Sequence, residues 1–296
     1  MQLETDGLVI AEQSIGESDR LVSGIISSTC NAGENCRRRS RRPWRTSMQL
    51  ETDGLVIAEQ SIGESDRLVT VLTRDEGIVR AFARQAKKSG STKVSATQLF
   101  CYSRFTIYKG REKYIIDDAR PAELFFDLRR DIECLALAQY FCELARSLAP
   151  QEAPAGDFLR LLLNAFHFLG KGTRPPLLIK AAVEMRMLEF AGYMPDLVAC
   201  RGCACYEAEP MLFYPREGFL SCPDCSGEYG GSPIPLGPGV LTALRHTIYA
   251  DFEKLFSFRL PPAGLKALAA ASERYTLCTL DRGFQTLDFF HGLVPV

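Results

Sequence analysis

From Thr52 to about Arg120, apolar and polar positions alternate in short bursts: GLVIAEQ, RLVTVLT, GIVRAFAR, FCYSRFTIYKG and KYIIDDAR, separated by turns rich in Gly, Ser, Asp and Lys. Alternation of period two, interrupted by turn residues, predicts strands. Five strands in roughly seventy residues, with a longer loop over 85–95 before the fourth, suit a five-stranded OB-fold barrel better than a sandwich. From Pro121 onward the period lengthens. Residues 121–148 read as one amphipathic helix ended by Pro150 and Pro154, and residues 157–169 and 176–191 as two more, the last opened by Pro175 and Pro176. Helical spacing returns over 239–258 and 265–290. The fold class is therefore α+β and multidomain, a barrel over 48–120 followed by a helical bundle over 121–296.

Residues 1–22 recur without a change at 48–69, whereas the segments that follow the two copies differ. Functional repeats drift, so an identical pair that starts with Met each time reads as a recent duplication or a start-site error, with Met48 expected as the biological start. Between the copies lies an Arg-rich stretch without apolar periodicity, the composition of a disordered linker. The second copy is expected to supply the first strand. It reaches its partner through a short turn at Gly63, whereas the upstream copy must close a longer loop at a cost of roughly 2 kcal/mol.

The formal net charge of -1 gives no global electrostatic signal, so any nucleic-acid surface must be a local basic patch. No run approaches the ~20 apolar residues of a membrane helix, and the amino terminus lacks a signal-peptide pattern, which points to the cytoplasm. There is no P-loop, no Gly-x-Ser-x-Gly, no HExxH and no dinucleotide fingerprint, and acid–base work would have only His167, His246 and His291 to draw on. A catalytic centre is not expected. Cys134, Cys142 and His167 fall inside helical patterns and are expected to be packed groups.

Eleven cysteines, an odd count in a chain without a secretory signal, suggest reduced thiols and a metal rather than disulfides. Cys200-x2-Cys203 and Cys222-x2-Cys225, eighteen residues apart, have the spacing of a four-thiolate zinc ribbon, inserted at about 197–230. Each CxxC turn aims two sulfurs at one ion, and four thiolates leave no open position, so one structural Zn2+ is expected. Cys205, two residues beyond Cys203, is a competing ligand. Thioredoxin-like CxxC pairs sit where a strand enters a helix, whereas these lie in a Pro, Gly and Glu-rich stretch, which favours metal over redox chemistry.

Cations concentrate in the barrel: Arg80 and Arg84 in the third strand segment, Lys87, Lys88 and Lys93 in the loop, then Arg104, Lys109, Arg111 and Lys113. Phe100, Tyr102, Arg104 and Tyr108 share one face of the fourth strand by the period of two, and aromatic rings beside guanidinium groups suit stacked single-strand bases. Against this, aromatics in a small barrel are usually core, and surface cations usually only keep a fold soluble. The candidate nucleic-acid residues are Arg80, Arg84, Lys87, Lys88 and Arg104.

The stretch GLVIAEQSIGESDRLVTVLTRDEGIVRAFAR resembles the amino-terminal barrel of the RecO family of bacterial DNA repair proteins, through Gly63, Glu64, Ser65, Asp66, Arg67, Leu68, Thr73 and Gly77. FYPREGFLSC before the second cysteine pair and DRGFQTLDF near the carboxyl end are similar to that family's ribbon and tail, with Thr286 where Ser is common. The resemblance spans 48–296 and implies a recombination mediator of the RecF pathway. Such a protein binds single-stranded DNA, acts with RecR and the single-strand-binding protein to load RecA, and anneals complementary strands. Two other classes fit the residues alone: a zinc-ribbon adaptor that binds only proteins, and a redox or metal-dependent enzyme at the CxxC pairs.

Overall fold

A computed structural model describes residues 48–293 apart from Ser89, Ser91, Arg111 and Glu112. The upstream repeat and its Arg-rich linker lie outside the described residues. Two compact units separate: residues 48–126 with 149–164, and residues 127–148 with 165–293.

The first unit contains a closed barrel of β1 (Met48–Ile62), β2 (Asp66–Thr73), β3 (Gly77–Ala83), β4 (Cys101–Lys109) and β5 (Tyr114–Leu124), in the order β1-β2-β3-β5-β4. The downstream copy of the repeat thus forms β1. β1 is long enough to pair at its start with β4, Met48 opposite Lys109, and at its end with β2, Ile62 opposite Asp66. Gly54 pairs in both ladders, and a Cβ there would meet Val71 Cγ1 at 2.5 Å and the Leu72 carbonyl oxygen at 2.9 Å, so this corner needs glycine. Val56, Val69, Val71, Val79, Ala81, Ala83, Phe105, Ile107, Ile116 and Ala119 fill the interior. Mostly small and β-branched, they suit the narrow bore of a five-stranded barrel. The loop before β4 includes one helical turn, α1 (Lys93–Ala96).

The fifth strand runs past the expected boundary at 120, and the long helix expected from Pro121 starts later. Residues 121–124 stay paired with β4, up to Cys101 opposite Leu124, and Pro121 enters at a register shift beside Ser103 that tolerates its missing N–H. A 3-10 turn over Phe126–Arg129 follows, and α2 (Ile132–Leu148) begins where the Asp131 carboxylate accepts the Glu133 N–H at 2.8 Å. The helical spacing of Leu124 and Leu128 is coincidental, the first being strand and the second 3-10 turn.

α3 (Gly156–Lys171), α4 (Pro176–Phe190), α5 (Pro238–Tyr249), α6 (Pro262–Leu280) and α7 (Gln285–Leu293) are the further α-helices of the described residues. The helical segments expected over 239–258 and 265–290 are each interrupted: a 3-10 turn at Phe252–Lys254 follows α5, and Asp281 in the left-handed conformation (φ 47°) separates α6 from α7. α4 is buried on every side from Leu178 to Leu188, the behaviour of a helix at the centre of its unit. That burial includes Lys180 and Glu184, which pair at 2.8 Å, with Tyr140 and Ser272 donating to the same carboxylate at 2.8 and 2.6 Å. Cys134 and Cys142 are buried, and burial pushes the Cys142 thiol well above its ordinary value.

Between α4 and α5 the chain forms a small sheet, ordered β6 (Asp196–Cys200), β8 (Phe219–Ser221), β7 (Met211–Tyr214) and β9 (Ile234–Leu236). Buried Arg245 of α5 fastens it, donating to the carbonyls of Leu197 (2.7 Å), Val198 (3.0 Å) and Tyr206 (2.8 Å). Among the described residues no helix is long and apolar enough to cross a membrane.

Candidate nucleic-acid face and metal centre

The basic residues of the barrel fall into two groups. β3 alternates buried and outward positions, so Arg80 and Phe82 point outward, and exposed Arg84 follows at the strand's end. The next loop folds back onto the β1–β2 turn. The Gln85 N–H donates to the Asp66 carboxylate at 2.8 Å, the Lys87 N–H to the Ser65 carbonyl at 3.0 Å, and Lys87 Nζ to the Gly63 carbonyl at 3.3 Å. These bonds hold Arg84, Lys87 and exposed Lys88 beside the outer face of β2–β3. The β4–β5 turn adds a cation: Gly110 N–H donates to the Lys113 carbonyl at 3.0 Å, and Lys113 Nζ stands 5.6 Å from the centre of the Phe82 ring. In OB-folds the β2–β3 face with the β1–β2 and β4–β5 loops is the usual oligonucleotide surface.

Arg104 belongs elsewhere. It lies on β4 opposite Asp53 of β1 and Arg120 of β5, and Arg120 is four residues beyond Ile116, the last residue of β5 that pairs with β3. Its guanidinium pairs with Asp53 at 3.3 Å, on strands that also carry Glu51, Asp117 and Asp118. The stacking face expected on β4 is not formed either. Phe100 precedes the strand and is buried with φ 65°, and Tyr102 is 2% exposed, its hydroxyl pushed up to about 12 by burial and by the neighbouring Asp53 charge. Tyr108 is half-buried and keeps only part of its ring accessible.

In the helical unit the sulfurs of Cys200, Cys203, Cys222 and Cys225 all lie within 4.8 Å of one another. Cys200–Cys222 and Cys203–Cys222 are 3.7 and 3.6 Å apart. A tetrahedral ion with ~2.3 Å bonds to sulfur has edges of ~3.8 Å, so the cluster already has the size of a four-thiolate metal site. Burial opposes charge on Cys200, but N–H donors from Cys203, Cys222 and Gly202 outweigh it and pull the thiol down to about 5, so the thiolate is favoured. Cys205 stands outside the four and donates its N–H toward Cys203. Gly202 sits tightly against Cys225: a Cβ would stand 3.0 Å from both its Cβ and its Sγ, so a side chain there would have to push the cysteine aside. Beneath the site, Phe219 stacks on Tyr214 at 4.8 Å and meets the edge of Tyr229 at 4.9 Å, with Arg201 over its ring at 4.7 Å. The four cysteines can hold one metal ion, and as sole ligands they would close its coordination shell.

Comparison with known proteins bears on both units. Residues 48–125 match the family profile described as recombination protein O N terminal, and residues 129–288 match recombination protein O C terminal. The chain belongs to the recombination protein O family. Relatives named DNA repair protein RecO include one from Acetivibrio thermocellus, 33% identical over 225 residues, covering 76% of this chain and 89% of the relative. Another, from Symbiobacterium thermophilum, is 32% identical over 230 residues, covering 75% and 89%. A third, from Desulforudis audaxviator, is 35% identical over 223 residues, covering 75% and 88%.

Two of the residues that carry the RecO resemblance, Arg67 and Thr73, tie turns and loops of the barrel together. Arg67 donates to the Val94 carbonyl at 3.0 Å and to Thr97 Oγ1 at 3.2 Å, and pairs with Glu59 at 3.5 Å. Thr73 Oγ1 donates to the Gly77 carbonyl at 2.8 Å and accepts the Glu76 N–H at 3.2 Å. Sequence reasoning missed Phe82 as an outward aromatic. The signal was present: in GIVRAFAR the period of two puts Arg80, Phe82 and Arg84 on one face.

Proposed function

We propose that this member of the RecO family is a non-catalytic DNA repair mediator that binds single-stranded DNA on the β2–β3 face of its barrel and carries a structural Zn2+ on Cys200, Cys203, Cys222 and Cys225. The observation that carries the reading is the gathering of Arg80, Arg84, Lys87, Lys88 and Lys113 around the oligonucleotide face of a closed OB-fold. Phosphate contacts by these side chains give affinity without sequence preference. Family membership supports the rest: work in the bacterial cytoplasm, on the RecF pathway, with RecR and the single-strand-binding protein, to load RecA. Annealing follows physically from the same face. A cationic surface that holds two flexible strands lowers their repulsion and raises their local concentration, with no nucleotide hydrolysed. Four thiolates as sole ligands leave no position for an activated water, so zinc here stabilises the ribbon and does no chemistry.

The test is a fluorescence-anisotropy titration of a labelled single strand with the full chain across a salt series, beside R84A/K87A/K88A and R104A. The triple variant loses three phosphate contacts, so the slope of log K against log salt falls by roughly 2, at ~0.7 per phosphate on single strands. R104A, already paired with Asp53 and away from this face, leaves the slope unchanged. Absence of binding at low salt would leave the protein-only adaptor as the better account.

A further inference from the structure

The barrel interior does not require an aromatic side chain at Phe82. The barrel interior is filled from the other face of β3, by Val79, Ala81 and Ala83, and an outward position on a small barrel normally takes a polar residue. Phe82 instead stays half-buried on the outer face, opposite Leu68 of β2 and Ile115 of β5. Along the chain it is flanked by the exposed side chains of Arg80, on the same strand, and Arg84, just past its end. The ring is met by the ammonium of Lys113, a side chain exposed at the end of the β4–β5 turn.

Resting on the single-strand reading above, we propose that Phe82 is the base-stacking platform of this face. Lys113 is the cation that leaves the ring for the adjacent phosphate when a base arrives. The ligand is the ring of an unpaired nucleobase of any identity. An exposed cation–π contact is weaker than a base stacked on the same ring, so the exchange runs toward the base, and the released ammonium gains a phosphate. Arg80 and Arg84, two residues to either side, would hold the backbone on both flanks of the stacked nucleotide. Stacking makes no hydrogen-bond readout, which suits a face that must accept any sequence.

The experiment compares the full chain with F82A, F82L and R80A/R84A in the same salt-dependent titration. F82W, in a W44F background that removes the chain's own tryptophan, serves as an optical probe. F82A is expected to weaken binding roughly 5- to 150-fold, the range of one lost base–aromatic stack, with the salt slope unchanged because no phosphate contact is lost. F82L, which keeps apolar area without a ring, falls with F82A, and the indole emission of F82W is quenched on adding an oligonucleotide of either purines or pyrimidines. R80A/R84A behaves oppositely and flattens the slope. Far-UV circular dichroism and the thermal midpoint should match wild type in each variant. If DNA binds, R80A/R84A flattens the slope, and F82A and F82L bind as wild type while the indole of F82W is not quenched, the platform is refuted and the single-strand reading stands. If no variant, wild type included, binds DNA with salt dependence, both fall.

Discussion

The Glu143 carboxylate of α2 caps the amino terminus of α7: its Oε2 accepts from Thr286 Oγ1 at 2.6 Å and from the Thr286 N–H at 3.4 Å. Its other oxygen pairs with Arg282 at 3.3 Å, and that guanidinium lies over Phe284 at 4.6 Å, while Phe284 is buried edge-on against Tyr140. The tail signature DRGFQTLDF is thus a latch of the last helix onto α2. A carboxylate at a helix start satisfies an orphan N–H and faces the positive end of the helix dipole. E143A is expected to cost about 1–2 kcal/mol in urea unfolding, the range of a lost cap with a partly exposed ion pair. T286S, which keeps the hydroxyl donor, should unfold near wild type, and T286V should follow E143A. Equal stability of T286S and T286V would show that the hydroxyl bond contributes nothing.

The four-cysteine cluster ties stability to pH in a fixed direction. Cys200 is near 5 in the folded chain and ~8.5 when unfolded, so it is a depressed acid. Its thiolate hydrogen bonds therefore stabilise the ribbon fully above about pH 8.5, and that contribution is lost as pH falls toward 5. The proposed zinc would need the same thiolates, so acid would act on ion and fold together. Zinc content measured by metal-indicator dye should be one per chain at pH 8 and drop on dialysis toward pH 5. C205S should keep the full ion at pH 8 and C203S should not. Retention by C203S with loss by C205S would transfer the ligand role to Cys205.

How far the sequence carried depended on how local each feature is. The spacing of the cysteine pairs is a property of two tight turns, and the four cysteines come together as the spacing implied: each knuckle places two sulfurs, and the pairing of Cys200 with Leu220 across β6 and β8 brings the knuckles together. The strands of the barrel were legible through alternation, but the end of β5 was not: Leu124, Phe125 and Leu128 fit helical spacing, and only pairing to Cys101 and Tyr102 decides for strand up to Leu124. The proposed binding face was half legible. Alternation tells which residues share a side of a strand but not which strands adjoin, so Arg104 and Arg84 looked alike until the order β1-β2-β3-β5-β4 separated them. Gly77 shows the converse. Its part in the family motif was visible, but the reason lies at a distance: φ is 64°, and a Cβ would run into the carbonyl oxygens of Pro150 and Ala153.

The buried pair Lys180–Glu184 yields the sharpest stability test, because its partners differ in what they can tolerate. Lys180 is 1% exposed and stands 2.8 Å from both Glu184 and Glu273, and His291 reaches Glu273 at 3.0 Å. Burial pushes the Glu184 carboxyl up, and the Lys180 charge with the Ser272 hydroxyl works against that shift. K180M removes the compensating charge and leaves a carboxylate in the centre of the unit, for a loss of about 3–5 kcal/mol. K180M/E184Q should recover part of it, since a neutral amide still accepts from Tyr140 and its NH2 can donate to Ser272. The pH dependence has a fixed sign. In K180M the folded carboxyl is raised above its unfolded value, so its contribution is present below the unfolded value near ~4.3 and is lost as pH rises through the folded one. The deficit of K180M relative to wild type therefore narrows as pH is lowered toward 4, whereas that of K180M/E184Q narrows less, because there only Glu273 has lost its cation. Urea midpoints of the three proteins between pH 7 and pH 4 decide it. A deficit in K180M that is constant with pH would mean that Glu184 is already protonated in the native chain and that the ion pair contributes no net stability.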